Sequence, residues 1–484
     1  MKNTLLTLTS AAVALGTSVP AFAQYAPPPP TQPFPGFVND YLRKQDPYYA
    51  NWDIGGSFRM RYELKENGLG LPPANDFRKT GVDNDNSYFS SKLLMKVGYT
   101  ARWWNFLVEG RNSSTSGDDR NPNFESDGPL DIHQAFVFVG NHKEFPVSAK
   151  LGRQELSYGD ERLVGAFAWH NIGRVFDAAK VRWQNSWFAA DVFSSKIVLP
   201  DDNNLNGWND YNFFSGVHLT TRKIPKNLTE LYFFARNDER GSTAANPGAF
   251  APFQYAAPFA RDIYTAGARF RSATNELGNW DYTVEGAYQF GNWKPAAASV
   301  RQDHQAYAFV ANLGYTFAET FGTPRVALEY AFGSGDSDPT DNKHETFDNL
   351  YPTNHKFYGY MDYFSWQNLH DVRAIYQMRP HPQISIAVEG HLFWVADTAD
   401  NLYNVGGVAR GAGANAAGFG RNTGYDNFVG SEIDVVVGYA ATKFAAVEAG
   451  YGHFFPGSYV DSTWQNSGGS AGGDWFYLQT VIRF

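Results

Sequence analysis

The last eleven residues, Asp474-Trp-Phe-Tyr-Leu-Gln-Thr-Val-Ile-Arg-Phe484, alternate between two solvents and end on an aromatic ring. Phe476, Leu478, Thr480, Ile482 and Phe484 share one parity; Tyr477, Gln479, Val481 and Arg483 share the other. Successive side chains of a strand point to opposite faces, so this pattern suits a sheet with lipid on one side and water on the other. Segments of the same kind recur from residue 53 onward. No later stretch approaches the roughly 18 uninterrupted apolar residues that a spanning helix needs. Together these features point to a closed transmembrane β-barrel.

Composition agrees once that pattern is known. A mean hydropathy of −0.42 would ordinarily suggest a water-soluble chain. Yet 17 % of the residues are aromatic, with 13 Trp, 28 Tyr and 39 Phe, as expected of interfacial girdles around strands half of whose residues face water. The net charge of −9 gives no basis for nucleic-acid binding, and the absence of cysteine excludes disulfides and thiolate metal sites. Lys2, the apolar Leu5 to Val19 stretch and Ala21-Phe22-Ala23 read as a secretory signal peptide over 1–23. Residues 24–50 read as a periplasmic N-terminal segment, of which the proline-rich Gln24 to Phe37, QYAPPPPTQPFPGF, is expected to be an extended tether. No composition break follows, so 51–484 is read as one barrel. The terminal phenylalanine resembles the signal read by bacterial outer-membrane assembly machinery.

The first strand shows the parity clearly. Ile54, Phe58, Met60, Tyr62 and Leu64 face one way, and Asp53, Ser57, Arg59, Arg61 and Glu63 the other. Charges on one face need water or each other, which makes that face the lumen. Counting similar segments gives about 18 strands, joined alternately by short links and by long polar stretches. That rhythm places both termini on the periplasmic side. Inward charges of the first half lean basic (Arg59, Arg61, Lys92, Lys96, Arg111, Lys150, Lys180, Arg182). Those of the second half lean acidic (Asp281, Glu285, Glu329, Glu389, Glu432, Asp434, Glu448). The expected result is a positive wall facing a negative one, with a field across the bore.

Charge is densest in LGRQELSYGDERLVGAFAWHNIGRVFDAAKVRW, residues 151–183. So many ions between lipid-facing strands require pairing or water, so this connection is expected to fold into the lumen as a constriction. GRQELSYGDERLVG followed by NIGRVFDAAKVRW resembles the alginate export family of outer-membrane barrels. So do Asn354-His-Lys-Phe-Tyr-Gly-Tyr-Met-Asp362, Phe393-Trp394 with Asp397, and Gly450-Tyr-Gly-His-Phe-Phe-Pro-Gly457. The resemblance covers nearly all of the chain after the signal peptide. It implies a monomeric 18-stranded barrel that passes an anionic polysaccharide, or another solute, through an arginine-lined constriction.

Matching residue types in the motif gives Arg153, Arg162 and Arg174 as candidate constriction cations, with Asp160 and Asp177 orienting them. Lys180, Arg182, Arg59 and Arg61 complete the candidate set. A guanidinium fork matches a uronate carboxylate bidentately, and conduction requires each contact to be weak and solvated. The alternative is a general or substrate-specific porin for small polar solutes.

Other chemistry is thinly represented. Ser157, His170 and Asn171 are near in sequence, with nothing placing a nucleophile against a base, so no enzyme is expected. Asp336, Asp338 and Asp341 could offer oxygens to Ca²⁺, but they lack the EF-hand glycine and spacing and read as a solvated acidic loop. No cofactor is expected. The expected partners are outer-membrane lipid and lipopolysaccharide, the assembly machinery and the transported solute, in a Gram-negative-type bacterium.

Overall fold

The protein is described by a computed structural model over residues 36–484, apart from 69–75, 81–83, 119–125, 202–204, 209–211, 240–259, 273–275, 295–299, 411–418, 420 and 467. Residues 1–23, read as a signal peptide, and the proline-rich run up to residue 35 therefore lie outside the described residues, as does most of the glycine-rich 406–420 stretch.

Eighteen antiparallel strands form one sheet, from Trp52–Glu66 to Gly473–Arg483. The last strand pairs with the first, from Ser57↔Arg483 to Glu66↔Asp474, so the sheet closes on itself. Two further two-residue strands, Gly207–Trp208 and Lys343–His344, lie on the long connections. Closure removes the free edges that an open sheet would offer to a bilayer.

The wall follows the parity of the sequence. Leu151, Val181, Val192, Leu313 and Leu328 project outward and are exposed, while the neighbours of Val192, Leu313 and Leu328 along each strand are buried inside. Trp104, Trp183, Trp187, Trp280 and Phe317 cluster on the outside at the short-turn end, where an aromatic girdle belongs.

The apolar core lies inside the barrel rather than between layers. The connection 155–175 contributes Leu156, Val164, Trp169 and Ile172 to it, and the connection 334–368 contributes Phe347, Tyr351, Tyr358 and Trp366. The short helix Ser458–Trp464 adds Tyr459 and Trp464. The two long connections therefore fold inward and pack on each other.

Before the barrel, Phe37–Gln45 forms an α-helix within the 24–50 segment, starting where the expected tether ends. Asp40 in its first turn and Arg43 and Lys44 in its last complement the helix dipole.

Candidate translocation path

The 155–175 connection spans the bore, and the first three strands grip it through its peptide carbonyls. Arg59 Nη1 donates to Ala168 O at 3.2 Å and Arg61 Nη1 to Trp169 O at 2.9 Å. Lys92 Nζ reaches His170 O at 3.3 Å, Ser113 Oγ reaches Asn171 O at 2.7 Å and Arg111 Nη1 reaches Ile172 O at 2.8 Å. Five consecutive carbonyls thus meet one wall. Arg61 also lies 4.0 Å over the Trp169 ring and pairs with Glu63 at 2.7 Å.

The far end of the same connection reaches the other side of the barrel. Asp160 pairs with Arg269, which also holds Glu230. Arg162 pairs with Glu329 at 2.7 Å, donates to Tyr358 Oη at 3.2 Å and lies 3.8 Å over Phe357. Arg174 clamps two connections at once, donating to Gly165 O at 3.1 Å and Pro352 O at 2.8 Å. Backbone bonds knit the two segments, with Tyr351 N–H to Leu163 O and Gly165 N–H to Tyr351 O, both at 2.8 Å. A Cβ at Gly165 would come within 2.3 Å of Thr353 Oγ1, so this approach requires glycine.

The strand Phe428–Ala440 holds the 334–368 connection with acceptors. Met361 N–H donates to Glu432 Oε1 at 3.0 Å and Tyr360 N–H to Asp434 Oδ2 at 3.4 Å. Elsewhere on the segment, Asp348 receives Arg236 at 3.2 Å and Arg261 at 2.8 Å, and Asp238 bridges the same two arginines at 3.0 and 2.6 Å. Burial alone would raise the Asp348 pKa, but Arg236 and Arg261 bring it down to about 2.

Two candidate constriction residues lie on the wrong face. Arg153 and Asp177 are on strands Val147–Gln154 and Phe176–Gln184 rather than in the connection between them. Arg153 shares parity with exposed Leu151, and Asp177 with exposed Val181. They form a bidentate pair at 2.9 and 3.1 Å on the outside of the barrel, beside the outward Lys196. Lipid-side geometry removes both from the bore.

Lys180 and Arg182 do face inward, and Lys150 lies directly opposite Lys180 on the neighbouring strand. The Lys180 and Arg182 side chains remain 22 % and 38 % exposed, each sharing Asp191 at 3.8 and 3.1 Å. Lys150 is half-buried over the Phe136 ring at 3.7 Å. By contrast, the lumenal carboxylates of Glu63, Glu109, Asp191, Glu329 and Glu389 expose 5 % or less. Glu155, paired to His133, is a more open exception at 39 %. Accessible charge along strands five and six is therefore mainly cationic.

Comparison with known proteins places this arrangement. The sequence profile named Alginate export matches residues 51–474. The chain belongs to the alginate export family. No curated protein matches it. Among solved structures, a BenF-like porin from Pseudomonas fluorescens Pf-5 aligns with a TM-score of 0.55 at 9 % identity, over 89 % of this chain and 99 % of that one. Pseudomonas aeruginosa OccK7 (OpdD) aligns at 0.53 and 10 %, over 90 % and 99 %, and Acinetobacter baumannii OccAB4 at 0.52 and 11 %, over 89 % and 98 %. These likenesses establish the barrel fold, and with the family they make the protein an outer-membrane channel.

In this alginate export barrel, the residues weighed for catalysis have other partners. Ser157 bonds Glu161, and His170 Nδ1 accepts the Ile172 N–H at 3.2 Å. Burial, then Lys92, Arg61, Arg59 and Arg111, hold the His170 pKa well below its ordinary value, so the ring is neutral. Among the acidic-loop residues, Asp336 accepts the Asp338 N–H at 3.2 Å, Asp338 the Thr340 N–H at 3.1 Å and Asp341 the Lys343 N–H at 2.6 Å. Among the described residues, no group of three His, Cys, Asp or Glu side chains is arranged to hold a metal. Sequence reasoning counted Lys150 among the inward cations but passed over it as a site residue. The signal available was its register, facing Lys180 across an adjacent strand.

Proposed function

We propose that the protein passively conducts an anionic polysaccharide or oligosaccharide across the outer membrane of a Gram-negative-type bacterium. A single chain forms the pore, set in lipid and lipopolysaccharide after delivery by the assembly machinery. On this reading the short-turn end faces the periplasm. Lys150, Lys180 and Arg182 form the surface along which the anion moves, whereas Arg59 holds the 155–175 connection at Ala168 O and Asn171. Arg61, Arg162 and Arg174 are positioning residues that shape the bore by holding the inward connections.

The observation that carries this reading is the Lys150–Lys180 juxtaposition. Like charges directly opposed across two strands are destabilising, and the site retains them beside water. A passing carboxylate relieves that repulsion. Because Lys180 and Arg182 keep exposed heads, each contact is weak enough to release. The deeply buried acids do little to oppose the anion. A second reading, a porin for small polar solutes, draws support from the two connections folded across the bore, which narrow it.

Planar-bilayer recording separates the two. Polyuronate added to the purified channel is expected to block the current in discrete events, and neutral dextran of equal size is not. Equal blockade by both polymers, or by neither, would favour the small-solute porin.

A further inference from the structure

The seam of the barrel is incomplete at its short-turn end. The first strand begins at Trp52, but the last strand pairs with it only from Glu66 down to Ser57, with Phe484 exchanging both backbone bonds with Gly56 at 2.9 Å. Trp52 to Gly55 project beyond it. Alternate residues of a strand present their backbone groups to the same side, so Trp52 and Ile54 continue the row that Gly56 ends.

The N-terminal helix takes up those groups. Ile54 N–H donates to Asn39 Oδ1 at 2.8 Å, and the Arg43 guanidinium donates to Trp52 O. Asn39 and Arg43 also hold the intervening Asp53 at 3.0 and 2.8 Å. The other face of the helix touches the far side of the seam. Phe37 packs against Phe444 and the terminal Phe484, with ring centroids 6.1 and 6.3 Å away, and Asp40 pairs with Lys443 at 2.5 Å. A Cβ at Gly56 would clash with Leu94 O and meet the Phe484 ring at 2.8 Å, so glycine lets the Phe484 ring approach the first strand this closely.

We propose that Phe37–Gln45 is a clasp for the seam. Its side chains bind backbone groups of the first strand that lie beyond its pairing with Gly473–Arg483, hold the first and last strands together, and deny the stub to an incoming strand. An uncovered edge of this kind is a template for another chain. Asn39 and Arg43 supply two of the hydrogen bonds a paired strand would have made, to Ile54 N–H and Trp52 O.

The cysteine-free chain allows a direct test. Full-length Asn39→Ala/Arg43→Ala protein is expected to lose its folded electrophoretic mobility at a temperature lower by roughly 5 °C or more. A disulfide across the seam, from Met60→Cys and Thr480→Cys, should restore it, because those residues are in register there. A control disulfide between Val388→Cys and Val435→Cys, in register on another strand pair, should not. If the double variant is not recovered folded, Phe37→Ala carries the same comparison. An unchanged transition, or equal rescue by both disulfides, would overturn the clasp.

Discussion

Strands one to three meet the 155–175 connection with donors, setting Arg59, Arg61, Lys92, Ser113 and Arg111 against five successive carbonyls. Strand sixteen, Phe428–Ala440, meets the 334–368 connection with acceptors, as Glu432 and Asp434 take the N–H groups of Met361 and Tyr360. A peptide has a pole of each sign, and each wall binds the pole it complements. Charge separation in the lumen, which by itself suggests a field acting on the cargo, is engaged in part in positioning the plug and in part in wall pairs such as Asp281–Arg325 and Glu389–Arg373. The cations left to the cargo lie between the walls, on strands five and six.

Breaking the two grips should therefore have unequal effects. Arg61→Ala/Arg111→Ala removes the guanidinium from Glu63, which keeps Lys65 at 3.4 Å, and from Asp131, which keeps the Asn206 N–H at 2.9 Å, and deletes two donors to the connection, at about 1.5–3 kcal/mol for each charged hydrogen bond lost. The 155–175 connection should leave the bore, and single-channel conductance should rise several-fold. Glu432→Gln keeps an oxygen acceptor and loses only the charge, at about 1 kcal/mol. Its conductance should stay near wild type. Equal opening by both variants would erase the distinction between the walls.

Acid offers a subtler break. Because the folded Asp348 pKa is depressed to about 2, its contribution is complete above the ordinary 3.8 and fades as pH falls through that interval. Conductance recorded on stepping the pH down should stay flat to about pH 4 and then climb as the 334–368 connection loosens. Asp348→Asn should show no acid-induced climb across that range.

The smallest effect is expected on the outer face. Arg153→Ala should lower stability by less than about 1 kcal/mol, since its pair with Asp177 is partly solvated. Polyuronate blockade should not change. A loss of blockade in this variant would return Arg153 to the bore.

Much of the barrel was legible because lipid and water impose a period of two. The strand around Ile54 to Leu64 and the closing strand could be read residue by residue, and the count of 18 followed. The outward placement of Arg153 was legible too. It shares parity with Val147, Ala149 and Leu151, but matching residue types in the motif overrode that parity. Other features depend on contacts far apart in sequence. Nothing near Arg162 marks Glu329 as its partner, and nothing near Arg174 marks Pro352 O. The helix Phe37–Gln45 was hidden because the prolines before it dominate the composition of the segment, while its docking groups lie on the first and last strands.

The central claim is that the cargo meets Lys150, Lys180 and Arg182 while the buried arginines hold the plug. Polyuronate blockade of Lys150→Gln/Lys180→Gln/Arg182→Gln channels in planar bilayers tests it most directly. Loss of three solvated contacts, each worth about 0.5–1 kcal/mol, should lower blockade affinity roughly tenfold or more while leaving open-channel conductance within a factor of about two. Blockade at wild-type affinity in the triple variant would contradict the account.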